Sequence, residues 1–224
     1  MSIAERIKHY QNELAGTTSR LIAISKTKPI EDILKAYEVG QRDFGENKVQ
    51  ELAHKFDQLP KDIKWHMVGH LQRNKVKFLA PFVHLIHGVD SPRLAVAINK
   101  EGKKVDRTIP ILLQLYIAQE DSKFGFAVDE VMEFLTSQQF KELQNIEVKG
   151  LMGIATNTDD NEQVAREFQL LKDTFDQINT QDILPYKMTE LSSGMTNDYK
   201  IAIEKGSTMI RIGTDIFGAR NYAN

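Results

Sequence analysis

From residue 21 almost to the end of the chain, short runs of β-branched and other apolar residues alternate with longer stretches whose apolar positions recur at helical spacing. The short runs are LIAISKT (21–27), the region around DFGE (43–46), KWHMVG (64–69), LIHGVD (85–90), PILLQLYI (110–117), VKGLMGIAT (148–156), KMTELSS (187–193) and TMIRIGT (208–214). Between them lie helical patterns such as IEDILKAYEVG, NKVQELAHKF, SPRLAVAINKEG, AVDEVMEFLTSQQF, NEQVAREFQLLKDTFDQI and NDYKIAIEKG, several of them ending at glycine, a frequent helix stop. Strands that alternate with helices predict a parallel sheet. About eight repeats in this length predict a closed (β/α)8 barrel of the TIM type rather than an open doubly wound sheet. The second strand is weak on propensity. No Gly/Ser/Pro-rich linker, charge block or low-complexity segment interrupts the pattern, so residues 1–224 are expected to form a single domain.

Composition narrows the partners. The chain is 41% hydrophobic and 27% charged, which is enough apolar material for a full core. Its 29 basic and 31 acidic residues nearly cancel, leaving no broad positive field for nucleic acid or an anionic membrane. There is no cysteine, which removes disulfides, thiolate metal sites and cysteine nucleophiles together. The N-terminal MSIAERIKHYQNELAG reads as a polar amphipathic helix without the apolar core of a signal peptide, and no later stretch has the length of a membrane span. A cytoplasmic protein is expected.

A barrel places its chemistry at the C-terminal ends of the strands, and polar residues fall there repeatedly: Lys26 and Lys28, Glu46 and Asn47, Gly69 and His70, Asp90, Thr156, Ser192 and Ser193, then Arg211, Gly213 and Thr214. Strand alternation would send Ile22, Ile24, Lys26 and Lys28 to one face. If that face is the lumen, two ammonium groups share it, and like charge with desolvation favours the neutral amine that attacks an aldehyde. The competing reading, that both lysines mark a solvated loop before Pro29, has a slight edge on spacing alone.

The segment ELSSGMTNDYKIAIEKGSTMIRIGTDIFG offers a hydroxyl and glycine turn at 192–194, a helix start near Thr196 to Asp198 and a second turn at Gly213 and Thr214. These suit a phosphate after the seventh and eighth strands, although helix capping by Ser193 or Thr196 accounts for the same residues equally well. Arg211 sits inside an apolar run and needs a partner, either a ligand atom or an acid such as Glu190 or Asp215. His66 with His70 and His84 with His87 have spacings that raise a metal site, but WHMVG reads as strand and no third and fourth ligand stand nearby, so no metal is expected. Neither GxGxxG nor GxxxxGK[ST] occurs.

Taken together, AISKTKP (23–29), FGENKVQE (44–51), WHMVGHLQRNK (65–75), SKFGF (122–126), KGLMGIAT (149–156), LSSGMTNDY (191–199) and GSTMIRIGTDIFGAR (206–220) resemble the pyridoxal phosphate homeostasis protein family. Its members look like the N-terminal barrel of alanine racemase, a fold-type III barrel, standing without the C-terminal β domain. The resemblance implies that Lys26 forms an imine with the aldehyde of pyridoxal 5'-phosphate (PLP), with Lys28 as an accessory. It also implies that Arg211 faces the pyridine nitrogen, that the amides of Gly213 and Thr214 and the hydroxyl of Ser192 hold the phosphate, and that Asn47 and His66 lie near the ring. Lys123 matches a family lysine at the pocket mouth. Similar proteins read LSMGMS where this chain reads LSSGMT, so Ser193 and Thr196 are departures, and the resemblance leaves open which hydroxyl of Ser192, Ser193 and Thr196 meets the phosphate.

The function so implied is a cofactor carrier or buffer serving recipient PLP-dependent enzymes, not an enzyme with a defined turnover. An arginine at the ring nitrogen makes the cofactor a poor electron sink. A chain ending at Asn224 is expected to lack the second domain from which alanine racemase draws a base. A weak amino-acid racemase or lyase, an aldolase-like barrel with a sugar-phosphate imine, and a pure binding scaffold remain the alternatives. A barrel alone suits a monomer.

Overall fold

The protein is described by a computed structural model covering residues 1–119 and 124–219. Its strands are β1 (Arg20–Ile24), β2 (Asp43–Glu46), β3 (Lys64–Met67), β4 (Leu85–Val89), β5 (Ile109–Gln114), β6 (Ile146–Met152), β7 (Glu190–Ser192) and β8 (Met209–Ile212). They are parallel and form a closed barrel in chain order, with β8 pairing β1 through Ile22 opposite Arg211. The expected (β/α)8 barrel is the observed fold. Weak β2 forms because both of its edges are paired and Phe44 is fully buried on its outer face, so tertiary packing overrides propensity.

The helices are α1 (Ile3–Leu14), α2 (Ile30–Glu38), α3 (Val49–Gln58), α4 (Pro92–Lys104), α5 (Val128–Thr136), α6 (Gln138–Lys141), α7 (Asn161–Thr180), α8 (Tyr199–Glu204) and α9 (Thr214–Phe217). A 3-10 helix, Arg73–Phe78, joins β3 to β4 and buries only Val76, which explains its faint sequence signal. Gly102 does not stop α4, as glycine was expected to do. The helix runs through it because a Cβ there would lie 2.8 Å from the carbonyl oxygens of Arg107 and Asn145, so the glycine serves close packing. α1 begins with a Ser2–Glu5 capping box and buries Ile7, Tyr10 and Leu14. Tyr10 donates to Asp215 at 2.8 Å and Arg6 to the Asp215 carbonyl at 2.7 Å, so α1 braces the segment that follows β8.

Two apolar cores result. The larger lies between strands and helices and includes Phe44, Trp65, Leu113 and Phe168. The smaller fills the lumen with Ile22, Ile24, Leu85, Leu112, Met152 and Met209. Period-two alternation then gives the lumen a polar set on the same strand faces: His87 two residues after Leu85, and Arg211 two after Met209. At Gly150 the wall has no room for a side chain, since a Cβ would fall 1.6 Å from the Glu190 carbonyl oxygen on β7.

Candidate functional site

β1 ends at Ile24, and the turn after it is held from several sides. The Ser25 hydroxyl donates to Glu46 at 2.6 Å, and the buried Lys55 ammonium donates to the Ser25 carbonyl, to Glu46 and to Glu51, each at 2.7 Å. Thr27 adopts a left-handed φ of 63°, and its amide donates to Glu51 at 2.5 Å. Lys26, half-buried, is therefore flanked on both sides by residues anchored to α3 and β2. Burial pushes the Glu46 carboxyl up to about 7, against the pull of Lys55 and Ser25.

Ile22 and Ile24 face the lumen as the alternation requires, but the Lys28 side chain is directed elsewhere. The left-handed residue at 27 breaks the alternation, and the Lys28 ammonium instead donates to the carbonyls of Gly218 and Ala219 at 3.0 and 2.7 Å. Lys28 thus ties the first loop to the last, and the expected pair of neighbouring lumenal ammonium groups is corrected. Gly213 abuts β1, where a Cβ would lie 3.1 Å from Ile24 Cβ, so the Gly213–Thr214 turn and the Lys26 turn occupy adjoining sectors of the rim. Asn47 follows β2 and is in close backbone contact with Gly69, at which a Cβ would come within 2.6 Å of the Asn47 carbonyl oxygen.

Arg211 is buried, and neither acid proposed for it is its partner. Glu190 is taken by Arg20 through two bonds of 3.0 Å, and Asp215 accepts from Tyr10. Arg211 donates to Ser192 Oγ at 2.7 Å and to the Gly153 carbonyl at 3.1 Å, and it forms no ion pair among the described residues. Burial lowers its pKa to about 10, so it remains charged at neutral pH. A guanidinium has more N–H groups than these two contacts use, all of them donors. The charge acting on it is that of Asp198, but no carboxylate among the described residues is hydrogen-bonded to it, and a buried cation with donors to spare fits a neutral acceptor such as a pyridine nitrogen.

Ser192 is fully buried, and its hydroxyl lies between Arg211 and His87 Nδ1, 2.9 Å from the latter. Ser193 is buried too, whereas Thr196 and Thr214 are exposed. Neither Ser193 nor Thr196 caps α8, whose N-cap is Asp198. Thr196 and Thr214 both line a cleft of about 1030 Å³ on the β5–β8 side of the mouth, together with Tyr116, Ile154 and Met195. Lys26 and Arg211 are not on that lining.

His66 is fully buried on β3. Its Nδ1 meets His87 Nε2 at 2.9 Å and its Nε2 meets Asp43, at the start of β2, at 3.0 Å. Burial lowers both histidines, His87 well below the ordinary range, so both are neutral. The expectation that no third ligand stands near the histidines is corrected by one grouping among the described residues. His70 sits outside with Asp90, while the atoms of Asp43, His66 and His84, from three different strands or their flanks, lie within 4.8 Å of one another. Sequence spacing had no means of showing that His87 meets Ser192 and His66, or of finding this grouping, because these partners are brought together only by the barrel; Lys55, four residues after Glu51 on α3, carries a local signal that could have found it. Lys123, expected at the pocket mouth, lies outside the described residues.

This geometry agrees with comparisons to known proteins. Residues 1–221 match the family model for the alanine racemase N-terminal domain. Similarity to the alanine racemase of Bartonella henselae, at 14% identity and a TM-score of 0.71, concerns the fold alone, and this chain spans 61% of that one. The chain therefore belongs to the class of alanine racemase-like barrels. Within that class it is 37% identical to the pyridoxal phosphate homeostasis protein of Pasteurella multocida, over 99% of this chain and 96% of that one, and 35% identical to the human protein of the same name, over 99% and 84%. PipY of Synechococcus elongatus superposes with a TM-score of 0.89 at 34% identity, covering 97% of this chain and 100% of that one; PipY with PLP bound gives 0.87. The chain belongs to the pyridoxal phosphate homeostasis protein family. No helix among the described residues is long and apolar enough to cross a membrane.

Proposed function

We propose that this protein binds PLP covalently through Lys26 and serves as a cytoplasmic carrier and buffer of the cofactor, acting as a single-domain monomer that supplies recipient enzymes. The Lys26 amine adds to the cofactor aldehyde and water leaves, so that the carbon–nitrogen bond replaces the carbonyl. The reverse hydrolysis releases the cofactor. Arg211 donates to the ring nitrogen, Asn47 borders the ring, and the amides of Gly213 and Thr214 with the Thr196 hydroxyl hold the phosphate. The first amides of α9 have no acceptor within their own helix, which suits them to an anion.

The observation that carries this reading is Arg211, a buried cation on the barrel wall with no ion pair among the described residues and with donors left over. It also separates binding from turnover. A guanidinium holds the ring nitrogen without giving up its proton, so bound PLP withdraws electrons weakly and carbanion chemistry is disfavoured. Adding PLP to the protein should produce a visible absorption band that survives removal of free cofactor, and Lys26→Ala should abolish it. An unchanged band in Lys26→Ala would overturn the assignment.

A further inference from the structure

Between Arg211 and the N-terminal end of the barrel runs an unbroken series of hydrogen bonds: Arg211 to Ser192 (2.7 Å), Ser192 to His87 (2.9 Å), His87 to His66 (2.9 Å) and His66 to Asp43 (3.0 Å). Its direction follows from giving every donor an acceptor. Arginine can only donate, so Ser192 Oγ accepts from it; the hydroxyl proton has no other acceptor among the described residues than His87 Nδ1, to which it is given. That nitrogen must be bare, which places the His87 proton on Nε2 facing His66 Nδ1. His66 must in turn carry its proton on Nε2, facing the Asp43 carboxylate. Every donor meets an acceptor only if both imidazoles are neutral and both are Nε2–H tautomers. A second proton on either ring would set N–H against N–H or leave a donor unmatched.

From this we propose that His87 and His66 are positioning residues for Arg211, and that Asp43 orients them from the opposite end of the lumen. The inference rests on the reading of Arg211 as the ring-nitrogen partner. A carboxylate bonded directly to Arg211 would occupy the donors that the ring nitrogen needs. The relay avoids this by presenting a hydroxyl instead. It locks Nη1 through Ser192 while the Gly153 carbonyl locks Nη2, and the remaining N–H groups are used by neither contact. The acid stays near the barrel floor, where Arg20 and Lys64 also hold it ionised. Polarised hydrogen bonds in a low-dielectric interior reinforce one another, so a change at one end is felt at the other.

The test combines two readouts on the full chain. Without cofactor, nitrogen-15 NMR of the imidazoles at neutral pH should show His66 and His87 as neutral Nε2–H tautomers; an Nδ1–H tautomer or a charged ring in either overturns the relay. With PLP, His87→Leu and Ser192→Ala should shift the absorption maximum and raise the release rate about tenfold, the loss of one positioning hydrogen bond to a charged group. His87→Gln should remain within about threefold of the unsubstituted protein, because its amide oxygen can accept from Ser192 while its N–H donates to His66. Asp43→Asn keeps an acceptor for His66 but removes the charge, and should shift the band in the same direction as His87→Leu. Thermal melting identifies any variant that fails to fold, and the remaining variants then decide. If Arg211→Leu changes the spectrum and release while folded His87→Leu and Ser192→Ala do not, the positioning role is refuted and the site reading stands. If Arg211→Leu changes neither, the site reading itself fails.

Discussion

Glu46 is a titratable group that braces the turn carrying Lys26. It is fully buried, one of its oxygens has no hydrogen-bond partner among the described residues, and the other receives both Ser25 and Lys55. Burial outweighs these contacts and raises the carboxyl from 4.5 to about 7. Between those values the folded state holds a proton that the unfolded chain has released, so stability falls as pH rises through that window. A gap of that width corresponds to about 3 kcal/mol. Glu46→Gln removes the titration while keeping an acceptor for Ser25 and Lys55. Denaturant unfolding of both proteins at a series of pH values isolates the effect, because every other titrating group cancels in the difference. The stability of Glu46→Gln relative to the parent should rise by about 3 kcal/mol from pH 4.5 to 8. A flat difference would refute the claim that burial dominates. A difference of opposite sign would show that Lys55 wins and holds the carboxylate ionised throughout.

Other consequences are as specific. Gly150→Ala should cost more than about 4 kcal/mol or prevent folding, since its Cβ would meet the backbone of β7, whereas Gly45→Ala meets the movable end of Ile24 and should cost about 1–2 kcal/mol by thermal unfolding. Thr196→Ala should weaken binding of PLP about fivefold in an absorbance titration and leave binding of pyridoxal, which lacks the phosphate, unchanged. Arg211→Leu should weaken PLP binding by about ten- to a hundredfold, the range for a hydrogen bond to a charged group. Exchange of the α-hydrogen of alanine for deuterium by the loaded protein should stay at the rate given by free PLP.

Much of the architecture is legible in the chain because a barrel strand must be apolar on the face it turns to the helices, and all eight such runs became strands. The rim positions followed from the same rule, which puts Lys26 after β1 and Arg211 within β8. What escaped depends on contacts between distant residues. Lys28 left the lumenal face because one left-handed residue, Thr27, ended the alternation, and nothing in SKTKP announces that turn. Ser192 reads as a rim hydroxyl until His87, 105 positions earlier in the chain, is seen to lie within hydrogen-bond reach of it. Arg211 needed a partner on any reading, but only the closed barrel reveals that Arg20 had already claimed Glu190.

The central claim is that one particular amine condenses with the cofactor. Incubation of the full chain with PLP, reduction with borohydride, and mass spectrometry of the intact protein and its peptides measure this directly. The account predicts one reduced pyridoxyl phosphate group per chain, located on Lys26, with Lys28 unmodified. A group located on another lysine, or no retained mass after reduction, would contradict it.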